Sequence, residues 1–151
     1  MWTWLRERLR LQRPARVVDP VLGVLTAFDG RWEGGGYFAP VRHEVEWAVD
    51  AGPDGPGEPQ RAFFGALAGR YADVFPAILE VLLPHAAEWE DTPLDGSRLA
   101  ALLTLTYFDV PAAETPSISW ILTYDSGLRG CPCFDVRMRG WAPTGEVEVA
   151  R

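Results

Sequence analysis

Between Pro59 and Trp89 the apolar residues Phe63, Phe64, Leu67, Tyr71, Val74, Phe75, Ile78, Leu79 and Leu82 recur three and four positions apart. That spacing places them on one stripe of a helix. Pro59 suits a first helical turn, whereas Pro76 removes an interior hydrogen bond. Asp73 could cap a fresh helix, so the pattern predicts either a kink near Ala72 or two helices meeting there. The stripe continues across the break and needs a broad apolar surface beneath it.

On both sides of this segment the periodicity changes to two. Asp19-Pro20 opens a strand over Val21 to Phe28, and Asp29-Gly30 is a tight-turn signal leading into Arg31 to Glu33. Gly34, Gly35 and Gly36 then interrupt the second strand before Tyr37 and Phe38. A phosphate-cradling loop is disfavoured here, because no Lys or Ser/Thr follows in the required frame and no helix opens after the glycines. A bulge or loop between extended segments is the expectation.

Val41 to Asp50 alternates, with Val41, His43, Val45, Trp47 and Val49 on one side and Arg42, Glu44 and Glu46 on the other. The Gly/Pro-rich stretch Ala51 to Glu58 connects to the helical layer, and Glu90 to Gly96 is a loop. Further strands are expected over Leu102 to Phe108, Ser117 to Tyr124 and Cys131 to Arg139, the last two joined as a hairpin through Asp125-Ser126-Gly127. Glu146 to Ala150 reads as an edge strand. These elements predict a two-layer α+β domain over residues 17–151: an antiparallel sheet of about six strands with a long, kinked or split helix on one face. Residues 1–16 precede it as a short amphipathic helix with Trp2, Leu5 and Leu9 at helical spacing.

Charge divides the chain. Met1 to Arg16 holds five Arg against Glu7, a balance of +4, so the remaining residues carry −11 of the total −7. An acidic body argues against general nucleic-acid binding, since nothing offsets phosphate repulsion, and suits a basic partner. The leading helix is expected to dock on the body rather than on a membrane surface. All basic side chains other than His are Arg, and Lys and Asn are absent, a composition expected of a GC-rich bacterial genome. No apolar run approaches the roughly 20 residues of a membrane span and no cleavable leader is evident, so a cytoplasmic location is expected.

Cys131 and Cys133 are the only cysteines. Their spacing in a strand disfavours a disulfide, and with only His43 and His85 elsewhere they fall short of a zinc site. Quiet strand cysteines are expected, with no metal and no cofactor.

Alternation also sorts the side chains that could do chemistry. Arg42, Glu44, Glu46, Ser117, Ser119, Asp135, Arg137 and Arg139 fall on the polar side of their strands, with Thr104, Thr106, Thr123, Cys131 and Cys133. If the helix covers only the other side, they form one contiguous mixed-charge sheet face. Glu44, Glu46 and Asp135 could serve as general acid and base, but no His shares that face, and rows of carboxylates with Arg suit a protein interface better. His43 falls on the apolar side as a core-margin residue, and His85 is expected at a helix end. No nucleophile elbow, His-Glu-x-x-His helix or dinucleotide fingerprint is present.

The strand opener Asp19-Pro20-Val21-Leu22-Gly23, the Trp32-Glu33-Gly34 step, the Tyr71 to Leu83 helix and the closing Ser119-Trp120 with Asp125-Ser126-Gly127-Leu128-Arg129-Gly130 form a further pattern. In order and spacing it resembles a group of small bacterial domains of unknown function. The likeness spans roughly Asp19 to Ala150; the basic leader and the Cys131-Pro132-Cys133 step lie outside it. Those domains have an opening three-strand meander, a helix and three further strands, and some relatives are regarded as immunity proteins that neutralise polymorphic toxins. The resemblance carries no catalytic residues across. It implies a cytoplasmic protein-binding domain, with an immunity protein facing a basic toxin as its specific form. The alternative is a small enzyme or ligand-binding domain with a pocket between Gly34 to Gly36 and the sixth strand.

Overall fold

The computed structural model describes residues 14–113 and 115–151. The predicted leading helix over Met1 to Gln12 lies outside them. Eight strands form one sheet: β1 (Arg16–Asp19), β2 (Gly23–Phe28), β3 (Arg31–Phe38), β4 (His43–Val49), β5 (Leu103–Val110), β6 (Ser119–Ser126), β7 (Cys133–Arg139) and β8 (Ala142–Ala150). Two helices, α1 (Glu58–Ala87) and α2 (Gly96–Leu102), lie between β4 and β5. Every strand neighbours its sequence neighbour. The pairings are those of an antiparallel meander except at the centre, where β4 pairs with β5 in parallel, from Glu46↔Tyr107 to Val49↔Val110.

The expected antiparallel six-stranded α+β sheet is therefore overturned. The sheet is mixed and has eight strands, because α1 and α2 return the chain to the end of the sheet from which β4 started. One strand, Arg16–Asp19, lies outside the expected set, and the expected edge strand is longer than its pattern suggests. Val21 and Leu22 form a turn that separates β1 from β2, and β8 begins at Ala142, ahead of the expected Glu146.

Asp19 makes the first turn. Its Oδ1 accepts the N–H groups of Val21 and Leu22, each at 2.9 Å, and its Oδ2 accepts from Arg61 Nε at 2.9 Å. The carboxylate thus ties the β1–β2 corner to the first turns of α1. Burial alone would raise its pKa, but the Arg61 hydrogen bond, the two backbone donors and the Arg61 charge outweigh that and hold it below its ordinary value. At the next corner Asp29 and Gly30 both take positive φ, 49° and 75°, the two-residue turn that matches strand twist.

The glycine run does not interrupt β3. Gly34, Gly35 and Gly36 pair in register with Trp47, Glu46 and Val45. Close approach of neighbouring strands requires two of them: a Cβ on Gly34 would sit 2.6 Å from Leu25 Cδ2 and 2.8 Å from Val24 O, and one on Gly35 would sit 2.9 Å from Val45 O, whereas Gly36 faces the Trp47 indole at an ordinary contact of 3.4 Å. The indole N–H donates to Leu22 O at 3.3 Å.

Helix α1 runs unbroken for 30 residues, with Pro76 and Pro84 inside it. Of the two arrangements expected near Ala72, a kink or two helices meeting, the second does not occur, since the tertiary contacts of the stripe outweigh the missing proline N–H. Phe63, Leu67, Tyr71, Val74, Ile78 and Leu82 are buried, and Phe64, Phe75 and Leu79 pack against the same core. Edge-on contacts link Phe63 to Trp120 and Phe64 to Trp47. From the sheet, Phe38, Val45, Phe108, Trp120, Leu122, Phe134 and Val136 complete that core. No described helix is long and apolar enough to cross a membrane.

Candidate functional site: the uncovered sheet face

The register places the other set of side chains on one surface. Glu46 pairs with Tyr107, Tyr107 with Thr123, Thr123 with Asp135 and Asp135 with Glu148. These residues form a row across five strands, and Glu46 and Asp135 are about 14 Å apart at the usual strand spacing. Glu44 lies two residues along β4 and is exposed, as are Glu46 and Glu148. Asp135 accepts the Thr123 hydroxyl at 2.6 Å. Among the described residues, none of Glu44, Glu46, Asp135 and Glu148 makes an ion pair.

Six of the eight residues predicted for this face lie on it: Glu44, Glu46, Ser119, Asp135, Arg137 and Arg139. The other two are corrected. Arg42 sits in the β3–β4 turn with φ 59°, and Ser117 precedes β6. The strands begin later than the alternation suggested.

Charge along the face is graded. Arg137 and Arg139 occupy the far end of β7, where Arg137 Nε meets Glu146 at 2.9 Å, while the row of carboxylates lies toward the start of β7. Toward β1 the face becomes apolar, with Val18 78% and Phe28 63% exposed, and Val24 beside Val18.

The alternation missed a third component. Arg31 Nη2 donates to Asp109 Oδ1 at 2.9 Å, Tyr107 donates to the same oxygen at 2.7 Å, and Ile121 N–H donates to Asp109 Oδ2 at 3.1 Å. Burial would lower the Arg31 pKa, but Asp109 outweighs it and the guanidinium is held firmly charged. Burial and the hydrogen bond to Asp109 both push the Tyr107 phenol up. A bulge between Leu105 and Tyr107 explains the miss. It resets the phase of β5, so that Tyr107 and Asp109 face outward, while Phe108 is fully buried.

Below the Glu46↔Tyr107 pair, β4 and β5 run on without register pairs, which leaves a fissure. His43 fills it, with ring nitrogens 2.7 Å from Leu105 O and 3.0 Å from Val41 O. On the uncovered side the fissure opens into a concavity of about 570 Å³, lined by Gly35, Glu44, Glu46, Thr104 and Thr106. Neither Asp135 nor Arg137 lines it.

Both cysteines are free. Cys133 donates its S–H to Asp125 at 3.1 Å. That hydrogen bond, then burial and the charge of Asp125, raise its thiol pKa, which disfavours the reactive thiolate. Among the described residues no three of His, Cys, Asp and Glu converge as metal ligands.

No family model, curated protein or solved structure matches the chain.

Proposed function

We propose that the uncovered face binds a basic protein. The observation that carries this reading is the row Glu46, Asp135 and Glu148 with neighbouring Glu44: carboxylates held on rigid strands, with no cation of their own among the described residues. A basic surface approaching this row gains charge complementarity, which steers association and fixes register. The exposed Val18, Val24 and Phe28 at the β1 side supply apolar contact area that an ordinary solvated face lacks.

In its specific form, which draws on the family resemblance, the partner is a toxin that this chain neutralises in the cytoplasm. The test is co-expression with the products of neighbouring genes, scored for protection and for a salt-sensitive complex. The triple variant Glu46→Arg, Asp135→Arg, Glu148→Arg is expected to lose both protection and binding while keeping its thermal midpoint. A partner bound equally well by this variant, or no basic partner among those products, would overturn the proposal.

A further inference from the structure

On the helical side of the fissure lies a second cavity of about 490 Å³, between α1, α2 and the unpaired starts of β4 and β5. Its walls are mostly carbon: Val41, Phe75, Leu103 and Leu105 contribute, and no Arg, Asp or Glu lines it. His43, Thr104 and Leu105 border both this cavity and the concavity on the uncovered face.

Two buried tyrosines form part of its wall. Tyr71, 6% exposed, and Tyr124, 1% exposed, line it and are hydrogen-bonded to each other at 2.8 Å. Burial pushes the Tyr71 phenol up to about 12 and raises Tyr124 well above its ordinary range, so both groups keep their protons at neutral pH. Two hydroxyls bring two protons, and the bond between them uses one. The second O–H has no acceptor among the described residues, although a buried donor normally finds one.

We propose that this cavity binds a small, uncharged, largely apolar compound through a carbonyl oxygen. The carbon walls receive its body and the spare tyrosine proton its oxygen, the usual division of labour in a ligand pocket. A carboxylate is disfavoured, because no cationic Arg lines the cavity to offset its desolvation. The site lies on the face opposite the acidic row and does not depend on the protein-binding reading.

Acetophenone and ethylbenzene, nearly the same shape and differing at the carbonyl, provide the test. Both are titrated into the full chain while methyl resonances of Val41, Leu103 and Leu105 are followed by NMR. Saturable shifts confined to these residues are expected, with acetophenone bound about three- to tenfold more tightly, the worth of one hydrogen bond. In Tyr71→Phe/Tyr124→Phe that preference is expected to fall to about one. Equal affinities in the native chain, or no saturable shift with either compound, overturn the proposal whether or not the double variant folds. So does a preference that survives in the double variant. The last result would place the hydrogen bond elsewhere, and the absence of shifts would mean that the spare proton is held by water.

Discussion

Replacing Gly34 by Ala puts a methyl group into space already taken. The new Cβ would lie 2.6 Å from Leu25 Cδ2 and 2.8 Å from Val24 O. The leucine methyl can swing aside, but the carbonyl belongs to the backbone of β2 and moves only with its strand. Overpacking of this kind costs about 1–3 kcal/mol. Stiffening the unfolded chain returns about 0.4–1 kcal/mol, which leaves a net loss of about 0–2.6 kcal/mol, with about 1.3 kcal/mol at the mid-points. Gly36 is the internal control: it lies two residues along the same strand, and its Cβ would meet only the Trp47 indole, at 3.4 Å from Cη2. Without the clash, Gly36→Ala keeps the unfolded-state gain and is expected to range from neutral to about 1 kcal/mol stabilising. Urea unfolding followed by tryptophan fluorescence resolves the difference as a shift in midpoint at constant slope. Equal or reversed midpoints for the two variants would refute the account of why the glycines are there.

Gly65 and Gly69 face solvent on α1, and a Cβ added at either would have no atom within 4 Å, so each change to Ala should stabilise by about 0.5–1 kcal/mol, read as a higher urea midpoint. Asp19→Asn should change the acid limb of the stability profile. The folded Asp19 pKa lies below its unfolded value, so its contribution is fully present above about pH 4–5 and is lost as pH falls through the folded pKa. The stability gap between native chain and variant, measured by urea midpoint against pH, should therefore be constant near neutrality and close in acid; a gap that widens in acid would contradict the assignment.

Alternation read the face of the sheet wherever a strand is regular. Val45, Trp47 and Val49 are buried and Glu44 and Glu46 exposed in β4, and in β7 Phe134, Val136 and Met138 are buried opposite exposed Arg137 and Arg139. It failed where geometry depends on distant partners. The phase of β5 changes at a bulge whose Thr106 hydroxyl donates to Thr123 O on the next strand, and nothing within Leu103–Val110 announces it. The glycine run looked like a break because the Val24 and Val45 carbonyls that crowd Gly34 and Gly35 belong to the neighbouring strands. Pro76 looked like a boundary because local propensity carries no record of the core beneath it. The parallel junction depends on where α1 and α2 deliver the chain, which no strand pattern encodes. The tyrosine pair joins positions 53 residues apart and is equally silent in sequence.

That junction has a bearing on synthesis. As the chain leaves the ribosome, β1 to β4 can zip up by nearest-neighbour hairpins, but β4 must wait for the whole of α1 and α2 before β5 arrives to cover its free edge. During that interval Val45, Trp47 and Val49 stand on a bare strand, the kind of edge that recruits foreign strands. Glu44 and Glu46, alternating with them, place like charges along that edge, so that two nascent copies meeting there would repel each other. The acidic face would then act as a guard before it acts as a surface for anything else.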